Sequence, residues 1–181
     1  MDKLAVFLRG VNVNGIHIKM DELKDVLESL SYKNVITVLA TGNVIVTTMV
    51  KQVSYESHKS IIEEGIGSYF KYDCNVILKT PKEIHDIINE ASGHTVPEAY
   101  HHYIFLSNDD SVGNRLTTLF YKCNRVDKEQ FIVGDYGMYW IVPKGSTLKS
   151  DFGSKVLGKK EFKNLLTSRT INTLEKMSKY L

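Results

Sequence analysis

The chain has 181 residues, of which 43% are hydrophobic and 24% charged, and its net charge is +2. That length can bury a core as one domain or two small subdomains. No run of about 18 uncharged apolar residues is present, so no helix is expected to cross a membrane.

The charge is unevenly spread. From Lys144 to Leu181, nine Lys/Arg stand against three Asp/Glu, about +6, and the rest of the chain carries about −4. Such a tail is either a solvated helical face or a surface for an anionic partner, nucleic acid included. Cys74 and Cys123 are far apart and form no CxxC. Reduced thiols and a cytoplasmic location are the expectation. Met1-Asp2-Lys3 leads straight into a strand-like run, so no secretion leader is expected.

In chain order, "KLAVFLRG" reads as a buried strand ending near Leu8. "MDELKDVLESL" has helical apolar spacing, with Asp21 and Glu22 in the first turn, where the helix dipole favours them. "NVITVLA" and "NVIVTTM" read as strands joined by a tight turn at Thr41-Gly42-Asn43. "SYESHKSIIEEGIGSYF" reads as a helix weakened at Gly65, and "CNVILK" as a fourth strand. The order β-α-β-β-α-β is the split βαβ, or ferredoxin-like, unit.

The order then recurs. Thr80-Pro81 caps the helix "KEIHDIINEA", with Pro at the first helical position. "HHYIFLS" is a strand and "SVGNRLTTLFYKC" a helix. "EQFIVGDYGMYWIVP" is a hairpin turning at Asp135-Tyr136-Gly137, and Ser150 to Leu181 reads as helical. The predicted fold is α+β: two ferredoxin-like subdomains with antiparallel sheets, at residues 1–80 and 81–181, plus C-terminal helices.

The stretch "FLRGVNVNGIHIKM" needs closer reading. Gly10 and Gly15 have Walker A spacing, but Ile16-His17 stands where Lys-Ser or Lys-Thr is needed, which excludes a P-loop. Alternation around Asn14-Gly15 is equally a hairpin signal. Topology adds a further expectation. In a split βαβ sheet the end of the first strand lies beside the start of the third, so one sheet end would gather Arg9, Asn12, Asn14, Lys19, Thr41 and Asn43. Such donors around glycine-permitted turns suit an anionic or polar ligand. The plainer reading is that Arg9 and Asn43 only satisfy loop carbonyls.

"RGVNVNGIHIKMDEL", "ATGNVIV", "YWIVP" and "TSRTINTLEKM" resemble, in order and over essentially the whole chain, the uncharacterised bacterial family called domain of unknown function 1697. Members typically carry R-G-I-N-V-G-G, I-K-M-x-x-L, Q-S-G-N-V and T-x-R-N-W-N-T. The resemblance implies paired ferredoxin-like subdomains and no established activity. The matching positions are Arg9, Gly10, Asn12, Gly15, Lys19 and Met20; Gly42, Asn43 and Val44; and Thr167, Arg169, Asn172 and Thr173. This chain departs from the pattern at Asn14, Ala40-Thr41 and Thr170-Ile171, the last removing a Trp. Asn172 with Glu175 reads as a helix cap, Thr170 being its competitor, and Arg169 before that helix would favour an anion.

Other chemistry is weakly signalled. His101 and His102 point to opposite strand faces and cannot chelate together, so no metal is expected. No nucleophile elbow or cofactor motif appears. An RNA-stacking platform is missing, since the central strands offer Phe7 alone among aromatics. The expected function is binding of a polar or anionic ligand (nucleotide, phosphorylated metabolite or nucleic acid) at one end of the first sheet. The alternatives are a small enzyme acting on a phosphorylated substrate, or a protein-interaction module.

Overall fold

A computed structural model describes residues 2–11, 17–49, 54–158, 160–162 and 164–181. Two four-stranded antiparallel sheets and six α-helices among these residues make an α+β fold. The chain divides into two compact units, Met1–His85 with Glu175–Leu181, and Asp86–Leu174.

In the first unit, β1 (Asp2–Arg9), α1 (Met20–Ser29), β2 (Lys33–Val38), β3 (Asn43–Thr48), α2 (Tyr55–Phe70) and β4 (Asn75–Lys79) follow the predicted order. The sheet runs β2-β3-β1-β4, the split βαβ arrangement. Leu4, Val6 and Leu8 of β1 pack with Leu23 and Leu27 of α1 and Ile62 and Ile66 of α2. The opposite face of the sheet, with Ala5, Phe7 and Ile45, is buried too. Burial on both faces explains why β1 reads as a continuous apolar run instead of an alternating one. Ser54 caps α2 by accepting from Ser57 N, and Lys71 closes it in the left-handed region.

The second unit contains most of α3 (Pro81–Ser92), then β5 (Tyr100–Ser107), α4 (Val112–Lys122), β6 (Gln130–Val133), β7 (Met138–Pro143), α5 (Asp151–Gly158) and β8 (Leu166–Thr170). Its sheet runs β6-β7-β5-β8, the same order again. Thr80 and Glu83 cap α3 reciprocally: Glu83 N donates to Thr80 Oγ1 and Thr80 N to Glu83 Oε2. The core is aromatic, with Phe105, Trp140, Phe152 and Phe120 packed between the sheet and α4 and α5.

One prediction needs correction. The segment from Ser150 to Leu181 is not helical throughout, because β8 interrupts it and pairs with β5 in register Tyr103↔Thr170 to Ser107↔Leu166. Leu-Thr-Ser-Arg-Thr has two β-branched Thr and begins with buried Leu166 and Thr167, and that β tendency is satisfied by the open edge of β5. The final helix, α6 (Ile171–Ser178), follows β8 without a gap.

Candidate functional site

The predicted rim forms in the first unit. Phe7 of β1 pairs with Asn43 of β3, and Leu8 N donates to Gly42 O at 2.7 Å. Gly42 has φ of +70°, and a Cβ there would come within 2.8 Å of Leu8 Cβ and 2.9 Å of Val11 Cγ2. Only glycine lets the two chain segments approach this closely. On the other side of β1, Arg9 pairs with Asn75 of β4. The alternation of the pleat puts Arg9, Asn43 and Asn75 on the sheet face away from α1 and α2.

Each predicted residue has a definite place. Arg9 is half-buried, and burial lowers its guanidinium pKa from the ordinary value. Asn43 is fully buried, and its Nδ2 donates to Val38 O at 3.0 Å and Thr41 Oγ1 at 2.8 Å, across the β2–β3 turn. Thr41 is exposed at the tip of that turn. Lys19, the residue before α1, is exposed and pairs with Glu22 at 3.2 Å. Asn12, Asn14 and the Asn14-Gly15 hairpin reading lie outside the described residues. The structure thus joins Arg9, Thr41 and Asn43 at one sheet end.

Arg169 and Asn172 belong to the second unit. Arg169 is in β8 opposite Ile104, and its Nη1 donates to Thr167 Oγ1 at 2.7 Å and Ser168 O at 2.8 Å. Asn172 is not the helix cap. The helix begins at Ile171, so Asn172 lies exposed inside the first turn, and the Thr170 hydroxyl sits 3.1 Å from that of Thr173. The strand running straight into the helix leaves the cap position to Thr170.

Several polar groups escaped sequence reasoning. His94 Nδ1 lies 3.3 Å from His102 Nε2, and burial, with the charge of His94, lowers the His102 pKa to about 4. Glu129 is buried and accepts from Trp140 Nε1 at 2.8 Å and Ser150 Oγ at 2.6 Å. Glu90 binds the β6–β7 turn. Each of these joins residues distant in sequence, for which no local pattern exists. Burial pushes the Cys74 thiol up to about 12 and, with Asp151, raises that of Cys123 against the opposing charge of Lys155. No group of three or more His, Cys, Asp or Glu that could hold a metal is found among the described residues. A groove of about 430 Å³ between α1 and α2, lined by Val26, Leu30, Gly65 and Tyr69, lies away from the rim residues. No described helix is long and apolar enough to cross a membrane.

Comparison with known proteins follows the same lines. The model of a family described as "Protein of unknown function (DUF1697)" matches residues 1–139, which leaves the C-terminal block outside the match. A conserved bacterial protein from Streptococcus pneumoniae has a similar structure, with a TM-score of 0.76 and 19% identity. The alignment covers 100% of this chain and 98% of that one. At that identity the likeness bears on the fold alone. A search of the curated proteins finds no match.

Proposed function

The chain belongs to the DUF1697 family of proteins of unknown function, and from that premise we propose that the rim of the first sheet binds a polar or anionic ligand. The ligand classes are a nucleotide, a phosphorylated metabolite or nucleic acid. The observation that supports this reading is the half-buried Arg9 at the end of a central strand, next to the glycine turn of residues 41–43. A partly desolvated guanidinium gains more from an anion than an exposed one, because fewer water contacts are lost on binding. Asn43 has a different part, since it shapes the turn on which Thr41 sits. Lys19 supplies a second cation before α1. Arg169 and Asn172 remain candidates within their own unit, and the basic segment after Lys144 is the candidate surface for nucleic acid. A cytoplasmic location fits two free, buried thiols.

Thermal-shift screening with nucleotides and sugar phosphates tests the reading. A hit that disappears in Arg9→Ala and is weakened in Arg9→Lys supports it, because Lys lacks the planar fork. Hits indifferent to Arg9, or none in a variant series that melts normally, overturn it.

A further inference from the structure

The β6–β7 turn is held by a residue from far earlier in the chain. Glu90, near the end of α3, presents its carboxylate to three successive backbone amides. Asp135 N donates to Oε1 at 2.7 Å, and Tyr136 N and Gly137 N donate to Oε2 at 3.1 and 3.0 Å. The Tyr139 hydroxyl adds a fourth bond to Oε2 at 2.6 Å. Successive amides that converge in this way form an anion-binding concavity, and charge-assisted bonds of these lengths are the strong kind. Gly134 completes the cradle, because a Cβ there would overlap the carboxylate itself.

Closure of the hairpin does not require this arrangement. Gly134 N already donates to Gly137 O at 2.9 Å, and that bond closes the turn. The remaining amides all point at one foreign group. The group is charged in the folded protein: burial pushes the Glu90 carboxyl up, but the Tyr139 hydroxyl and the three amides together hold it below the ordinary value. The donors satisfy both oxygens of a carboxylate and make no use of the rest of the glutamate side chain.

We propose that the β6–β7 turn and Tyr139 form a carboxylate receptor, filled in cis by Glu90, which takes a small free carboxylate when that side chain is withdrawn. The ligand class is a monocarboxylate of the size of acetate, the group that truncation at Cβ removes. Chloride, lacking two oxygens at fixed spacing, does not replace it.

The test uses the full chain with Glu90→Ala, titrated with sodium acetate against sodium chloride at equal ionic strength. The expected result is a lowered melting temperature that acetate restores saturably and chloride does not. The amide resonances of Asp135, Tyr136 and Gly137 shift along the same curve. Adding Tyr139→Phe removes one of the four donors and weakens acetate binding by roughly tenfold. Amides that ignore acetate, or follow chloride equally, overturn the proposal. If Glu90→Ala does not fold, Glu90→Gln carries the test: it keeps the shape without the charge, and amide exchange at 135–137 should quicken by roughly tenfold or more. Unchanged exchange in Glu90→Gln overturns the proposal as well.

Discussion

The two units have the same strand order and hold it with different chemistry. The first has an aliphatic core, with Val, Leu and Ile from sheet and helices, and its β2–β3 turn is fixed by Asn43 within the turn itself. The second is aromatic, and its β6–β7 turn is fixed by a carboxylate 45 to 47 positions earlier. Large rings explain the difference. Trp140 and Tyr139 bring an N–H and an O–H into the interior, and each needs an acceptor. Glu129 serves the first, and Glu90, with the Ile87 carbonyl at a longer 3.2 Å, the second. One topology can therefore rest on local devices or on remote ones, and the choice follows from the core residues.

The largest effect that would break this comparison is in the aromatic core. Phe152 is fully buried and contacts Phe105, Phe120, Phe131 and Trp140. Phe152→Ala should cost about 3–5 kcal/mol, read from the denaturant midpoint, whereas Ile62→Val in the aliphatic core should cost about 1 kcal/mol. A loss below about 2 kcal/mol for Phe152→Ala would mean that the ring is not a close-packed member of that core.

Next in size is a pH effect confined to the second unit. Burial lowers the His102 pKa to about 4, against an unfolded value of about 6.5. Between these values the unfolded chain binds the proton and the folded chain does not. The stability this group contributes is present above about pH 6.5 and falls as pH drops to about 4. His102→Gln should flatten the stability profile across that window, most clearly in its upper half, above the ordinary carboxylate range. A slope unchanged by this substitution would show that His102 is not held neutral.

The turn of the first unit is expected to be worth less. Asn43→Ala removes the donor to Val38 O and Thr41 Oγ1, at about 1–2 kcal/mol. The loss should register as faster amide exchange around the β2–β3 turn, with the second unit unaffected.

Legibility in the sequence follows the same division. Strands and helices of the first unit are visible because the apolar spacing of "MDELKDVLESL" and the Thr-Gly-Asn turn are local signals. The juxtaposition of Arg9 with residues 41–43 was reachable because topology alone dictates it. β8 was not legible: "LTSRT" is short and polar, and only the free edge of β5 makes it a strand. Asn172 departs from its expected cap position for the same reason, as its place depends on where that strand ends. Glu90 sits on an ordinary polar helix face, and nothing near it in sequence announces the turn it binds.

The smallest expected effect separates architecture from ligand binding at the rim. Lys19 is 82% exposed, and its pairing with Glu22 is an open surface contact worth little in water. A cation before a helix N-terminus also opposes the dipole, which cancels part of that gain. Lys19→Ala should therefore move the melting temperature by less than about 2 °C. The substitution then reports on function without disturbing structure: with an anionic ligand bound beside Arg9, affinity falls and its salt dependence weakens, while the melting temperature of the free protein stays put. A larger drop in the free protein's melting temperature would place Lys19 among the rim's structural residues, alongside Asn43.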